Sequence, residues 1–338
     1  MNVPFHGLAR LCLVPCVVLA ACTGSFASPV KIFFDTDMLT DCDDAGAMAV
    51  LHSLADMGEC EILATVVSVP NLDSVKTVRA INAWRGRADL PLGMVKHGGV
   101  REKSRFVSGI AEEFKVELRE EEVPDGVEIY LKMLEKQPDG SVVVVTVGYL
   151  THLKALLERA ETDTATKELI RNKIRLWVCM GGNFIGMPPE DDLKLGNVNF
   201  QRDAESALRV IRGWPGEILF AGREVCSVPS GLAIGGELAA TTPGNPVRRA
   251  YELYFGGVAK KRHVADLVAV YAAVRGGESL WDMSDPGQML LAEDITFTWE
   301  SKPDGRHSYL LKLRENGVPN DRVVESKLSE LLIRPPAP

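Results

Sequence analysis

The chain reads as an α/β fold, a mostly parallel open sheet with helices on both faces. Three observations predict it. Apolar runs without alternation, such as "SVVVVTV" (141–147) and "KIRLWVCM" (173–180), mark strands buried on both sides. Amphipathic segments of helical period separate these runs along most of the chain. Polar or glycine-rich residues follow each run directly, which is the pattern of the ligand-binding edge in a Rossmann-like sheet.

Taken in order, "VKIFF" (30–34) is a buried strand, and Ala45–Leu54 is a helix that stops at Gly58. "EILATVVSV" (61–69) is a second strand, with a helix over Ser74–Trp84 behind it. "SVVVVTV", β-branched almost throughout, is the strongest strand, and Thr151–Ala160 is the helix after it. "KIRLWVCM" ends at Gly181-Gly182; Asp203–Trp214 is helical, "EILFAG" (217–222) a strand and Val264–Arg275 a helix. From Asp294 on, "ITFTWE" and "HSYLLKL" are expected to pair as strands, and the charged stretch Glu112–Glu122 is expected to be a solvated helix or loop. No repeat or linker interrupts this series, so residues 28–338 are expected to form a single domain.

Of the 338 residues, 46% are hydrophobic and 25% charged, enough for a large core. The formal charge is −8, and the densest basic cluster is Lys260, Lys261 and Arg262, too short to track a phosphate backbone. Nucleic acid is therefore excluded as a partner. Residues 1–27 form a separate object, a secretory signal: Arg10 precedes the apolar run "LCLVPCVVLAAC", which is too short to span a bilayer and contains Pro15. Leu19-Ala20-Ala21-Cys22 resembles a lipobox, which makes Cys22 the expected lipidation site; the rival is plain cleavage after Ala27. The expected location is periplasmic or membrane-anchored through that lipid, with a secreted soluble protein as the alternative. Cys42, Cys60, Cys179 and Cys226 have no metal-type spacing. A disulfide is permitted in an oxidising compartment, and Cys179, inside an apolar run, reads as a buried small hydrophobe.

The most informative stretch is "FDTDMLTDCDDAGAM" (34–48), with aspartates at 35, 37, 41, 43 and 44. Carboxylates this close raise one another's pKa unless a cation sits among them. A helix N-terminus near Ala45 accounts for Asp43 or Asp44 but not for five acids. An EF-hand counted from Asp35 fails, because Leu39 and Gly46 occupy its fifth and twelfth positions. A haloacid-dehalogenase type of phosphatase, with Asp35 as nucleophile and Mg²⁺, is a weaker rival. A hard cation such as Ca²⁺ takes six to eight oxygens, and Asp37 and Asp44 could supply two sides of such a shell.

D-x-D, a short loop, then D-D-A opening a helix resembles the calcium-binding signature of the inosine–uridine-preferring nucleoside hydrolases. "VPNLDSVKTVRAINAW", "VTVGYLTHLKALL", "CMGGNF", "NVNFQRDAESAL" and "ADLVAVYAAVRG" resemble that family's later motifs in order, across roughly Val30 to Leu313. The resemblance implies the nucleoside hydrolase fold and hydrolysis of the N-glycosidic bond of ribonucleosides. It implies Ca²⁺ held by Asp37, Asp44, the Val147 carbonyl and Asp266, with ribose hydroxyls completing the shell. Asp37 is then the general base acting on a metal-bound water. Asp43, Asn71 and Asn199 hold the ribose, Met180 lines the sugar pocket, and Asp35 orients the ligand shell. A homo-oligomer is also implied. On residue chemistry alone Asn71 also reads as a loop residue satisfying its own backbone, Asp266 as a helix N-terminal acid, and Met180 as core.

Three positions depart from the family pattern. Asn197 stands where a glutamate is expected, still able to hydrogen-bond a 5′-hydroxyl. Ala265 replaces a histidine that assists the leaving base, and His263, two residues earlier, is expected to point elsewhere. His152 replaces an asparagine and reads as a structural histidine. The calcium and ribose end thus reads as intact and the base end does not, so a ribosyl-binding lipoprotein without catalysis stays open as an alternative.

Overall fold

The computed structural model describes Met1 and residues 28–184, 197–226 and 231–337. The expected signal segment and Cys22 lie outside the described residues.

Strand β1 (Val30–Thr36) leads through a loop into helix α1 (Asp43–Asp56), and β2 (Cys60–Val67) is followed by α2 (Leu72–Trp84). A short β3 (Leu92–Met94), α3 (Val107–Glu113) and α4 (Gly126–Leu134) precede β4 (Val142–Thr146). Helices α5 (Thr151–Thr162) and α6 (Thr164–Lys173) lead to β5 (Ile174–Met180). Two further helices, α7 (Val198–Arg202) and α8 (Ala204–Gly213), precede β6 (Ile218–Ala221). After α9 (Arg223–Cys226), a small ribbon pairs β7 (Ala233–Ile234) with β8 (Arg262–His263), spanning α10 (Pro246–Phe255) and delivering the chain into α11 (Ala265–Arg275).

Strands β3-β2-β1-β4-β5-β6 lie side by side in that order, all parallel. The unbroken apolar runs are explained by the pleat, which sends alternate residues into two cores. Ile32, Phe34, Val143 and Val145 pack with α1, α2, α10 and α11, whereas Phe33, Val142 and Val144 pack with α4, α5 and α8. All four cysteines beyond the signal segment are buried and free, so the permitted disulfide does not form.

The C-terminal part departs from expectation. The remaining strands are β9 (Trp281–Met283), β10 (Gly287–Leu291), β11 (Phe297–Ser301), β12 (His307–Lys312) and a separate short pair, β13 (Arg314–Glu315) with β14 (Val318–Pro319), and α12 (Asp321–Ile333) follows them. The segment "ITFTWE" pairs with β10 rather than with "HSYLLKL", because the tight turn at residues 292–296 closes a hairpin onto its nearest neighbour. Strand β12 instead extends the parallel sheet beside β6, with His307 opposite Ile218.

Candidate active site

Strand order reverses between β1 and β4: the chain builds outward through β2 and β3 on one side and through β5 and β6 on the other. At such a switch point the loops beyond the strand ends diverge and leave a crevice. A cavity of about 540 Å³ lies there.

The β1–α1 loop supplies its floor. Met38 takes a left-handed conformation (φ 42°), a strained choice for a non-glycine residue that turns the chain sharply beyond Asp37. Asp44, in the first turn of α1, does not cap its own helix. Its Oδ1 reaches back to the Met38 amide at 3.1 Å and to the Thr36 hydroxyl, which pins the loop. From the other side the chain leaving β4 passes through Gly148, where a Cβ would overlap the backbone nitrogen of Asp37 and the Ser68 hydroxyl. Only glycine permits that approach.

Asp43, Asp44 and Asp266 are buried, and each offers a carboxylate oxygen within 4.8 Å of the other two. At an effective dielectric constant of about 20, unit charges at that distance repel by roughly 3 kcal/mol per pair. Three such pairs approach the whole stability of a typical domain, on the order of 5–15 kcal/mol. The bare cluster therefore cannot stay ionised. Burial pushes the Asp44 and Asp266 carboxyls well above the usual range, with neighbouring carboxylates adding to the rise. Burial likewise pushes Asp37 up to about 7, against the hydrogen bond from the Asp44 side chain and with help from the Asp43 charge. Asp43 Oδ2 has no hydrogen-bond partner among the described residues. Three buried carboxylates gathered in one cluster fit a hard divalent cation.

The structure brings Asp37, Asp43, Asp44, Val147, Met180, Asn197, Asn199 and Asp266 to this one cavity. It differs from the sequence reading in detail. The close triad includes Asp43, expected to hold ribose, in place of Asp37, which stands beside it. The Val147 carbonyl accepts a hydrogen bond from Asn199 Nδ2 at 2.9 Å, so the two residues form one unit. Asn197 Oδ1 caps α7 by accepting from the Phe200 amide at 2.9 Å, while its Nδ2 lies 3.7 Å from Met180 Sδ. Asn71 does not line the cavity: its Oδ1 accepts from the amides of Asp73 (2.9 Å) and Ser74 (3.2 Å), the N-cap of α2. Asp35 is also enclosed, taking a hydrogen bond from Tyr130 at 3.0 Å with His152 Nδ1 at 3.1 Å, which leaves it no access as a phosphatase nucleophile.

His263 corrects the reading most. Strand β8 carries it into the cavity, where Nε2 stands 3.1 Å from Asp41 Oδ2 and Nδ1 3.3 Å from Asp43 Oδ2. The second contact lacks hydrogen-bond alignment and leaves both atoms unpaired. Although burial opposes its charge, the two aspartates hold the His263 imidazole up at about 9. Arg262, beside it, binds Asp41 with Nε 2.8 Å from Oδ1 and 2.9 Å from Oδ2. Asp41 in turn stays ionised: burial works against this, and the His263 and Arg262 contacts outweigh it. Sequence reasoning missed this group, since 221 residues separate Asp41 from Arg262.

The model of the inosine-uridine preferring nucleoside hydrolases matches residues 32–310. The chain belongs to this family. Its enzyme class is accordingly that of an N-ribosyl hydrolase acting on nucleosides. Among solved structures, the plant nucleoside hydrolase PpNRh1 superposes with a TM-score of 0.67 at 18% identity, covering 91% of this chain and 100% of that one. The inosine-uridine preferring nucleoside hydrolase from Bacillus anthracis gives a TM-score of 0.63 at 15% identity, over 89% and 99% of the two chains. The type III effector protein XopQ, solved with adenosine diphosphate ribose, gives 0.61 at 15% identity, over 91% and 94%. At these identities the superpositions speak for the fold, and the family match carries the class. No curated protein sequence matches the chain.

Proposed function

We propose that the protein is an exported, calcium-dependent nucleoside hydrolase that releases ribose and free base, with Asp37 as general base. The observation that supports this best is the buried triad of Asp43, Asp44 and Asp266, an oxygen cluster that repels itself without a cation, set beside a carboxyl of raised pKa. Asp43, Asp44, Asp266 and the Val147 carbonyl would hold the ion, with Asp37 adjacent. When bound, the cation supplies a Lewis acid for water and an anchor for vicinal hydroxyls.

The chain's own residues do the rest. Asp37 accepts the proton of the water that attacks C1′. Asp43 and the Asn199 side chain take ribose hydroxyls, and Met180 packs against the sugar. The bond to the base breaks through an oxocarbenium-like state, and the surrounding carboxylates favour the positive charge that develops there. Residues 1–27 would direct export, with Cys22 as the lipid anchor; metabolic labelling with a radioactive fatty acid, lost in Cys22→Ser, tests that part.

The deciding experiment measures reducing sugar released from a panel of purine and pyrimidine nucleosides. Release that vanishes with a chelator, returns with Ca²⁺ and is lost in Asp37→Asn supports the reading. Stoichiometric binding of Ca²⁺ with no release from any nucleoside would sink it in favour of a ribosyl-binding protein.

A further inference from the structure

Departure of a nucleobase leaves an electron pair on its ring nitrogen, and the carboxylate floor of the cavity repels that charge. Some other wall must receive it. Among the described residues three arginines line the cavity: Arg202, Arg223 and Arg262. Arg202 is drawn to Glu102 at 2.7 Å. Arg262 is built differently. Its Nε and Nη2 are fixed by Asp41, and its guanidinium carbon lies 5.5 Å from the centroid of the Tyr254 ring, which also lines the cavity. Of the cavity arginines, Arg262 is the one found over an aromatic ring among the described residues. Its remaining nitrogen, Nη1, makes no hydrogen bond among the described residues, and the side chain keeps 33% of its exposure. A cation clamped on two nitrogens, with a third left over and a flat ring beside it, is a receptor for a planar heterocycle bearing acceptor atoms.

We infer that Arg262, anchored by Asp41 and braced on Tyr254, is a catalytic residue that stabilises the departing base by charge and hydrogen bonding. This rests on the hydrolase reading above and deepens it. The C1′–N bond breaks with its electron pair on the base nitrogen. The water oxygen bonds to C1′, its proton goes to Asp37, and the base takes a proton from solvent afterwards. Arg262 transfers no proton; Nη1 donates to an acceptor on the base, such as an exocyclic oxygen, and its charge lowers the energy of the forming anion. The arrangement selects oxo-substituted bases, whose exocyclic oxygens accept the hydrogen bond. It also supplies a base end in a chain where Ala265 stands in place of the expected histidine.

The test compares inosine with p-nitrophenyl β-D-ribofuranoside, whose nitrophenolate leaves without assistance, in the full-length protein and in Arg262→Ala and Arg262→Lys. Removing one preorganised donor to a developing anion costs on the order of 100-fold in kcat. Arg262→Ala is expected to lose about that much on inosine and at least about tenfold less on the nitrophenyl riboside. Arg262→Lys, keeping charge without the planar fork, is expected to recover part of the loss on inosine. Cleavage of the activated substrate serves as the folding control. Equal losses on both substrates in both variants would overturn the inference while leaving the hydrolase intact. If the unaltered protein cleaves neither substrate, the hydrolase reading and this inference fall together.

Discussion

Gly148 and Asp37 show how little room the chemistry leaves at the scale of single residues. A methyl group at 148 would occupy the space of the Asp37 backbone nitrogen, so Gly148→Ala must push the β1–α1 loop outward. Overpacking of this kind costs about 1–3 kcal/mol; the variant is expected to melt several degrees lower and to lose nucleoside hydrolysis. A Gly148→Ala protein of unchanged activity would show that the loop is not held where the structure has it. Asp37→Asn separates two roles that the sequence assigned to one side chain. If Asp37 is chiefly the base, hydrolysis falls by roughly 10²–10⁴-fold, while Ca²⁺ still raises the melting temperature through Asp43, Asp44 and Asp266. Loss of that thermal shift in Asp37→Asn would return Asp37 to the ligand set. The five aspartates were legible because they are adjacent in the chain. For Asn71 the sequence offered both a backbone and a sugar role without deciding between them, and the cap made by Asn197 was not read: an amide that closes a helix and one that binds a sugar look alike until the amides around them are placed.

At the scale of elements, the sequence yielded what burial on both faces imposes and missed what long-range pairing decides. Strands β1, β2, β4, β5 and β6 fell within two residues of their expected bounds because a strand covered on both sides must be continuously apolar. The ribbon of β7 and β8 is two residues wide, too short for any periodicity, yet it is what turns Arg262 and His263 into the cavity. Helix α1 is buried from Asp43 to Leu54 and meets α2 through His52, whose Nε2 lies 2.9 Å from Asn82 Oδ1. Burial lowers the His52 pKa to about 3 from the usual 6.5, the Asn82 contact only partly opposing this. The folded state therefore binds fewer protons than the unfolded chain between those values. Stability from this group is full above pH 6.5 and is lost as pH falls towards 3, by up to about 1.4 kcal/mol per unit of pH. In His52→Gln that loss disappears, so the stability difference between parent and variant should shrink on acidification. Urea melts of the two proteins from pH 7 to pH 4 measure it, and a difference independent of pH would mean that His52 is charged in the fold.

For the molecule as a whole, a cation held by the carboxylate cluster would couple stability to the switch point of the sheet. Four elements converge there: β1, the first turn of α1, the end of β4 and the first turn of α11, so the cluster ties together both halves of the sheet. Without a cation, Asp37 titrates near 7, and Asp44 and Asp266 lie well above their ordinary value of 3.8. The folded state then holds more protons than the unfolded chain from about pH 4 upward, so the metal-free protein loses stability as pH rises through that range. A divalent cation would bind the deprotonated cluster, so its contribution would grow in the same direction. At a free concentration one hundred times its dissociation constant it would add about 2.7 kcal/mol, which for a domain of this length corresponds to a rise in melting temperature of roughly 4 °C. Calorimetric scans with chelator and with Ca²⁺ are expected to differ by that amount at pH 8 and by much less at pH 5. Asp44→Asn and Asp266→Asn should each flatten the pH dependence of the metal-free protein and reduce the Ca²⁺ effect. A Ca²⁺ shift as large at pH 5 as at pH 8, or one that survives both substitutions, would place the ion elsewhere and leave the clustered acids unexplained.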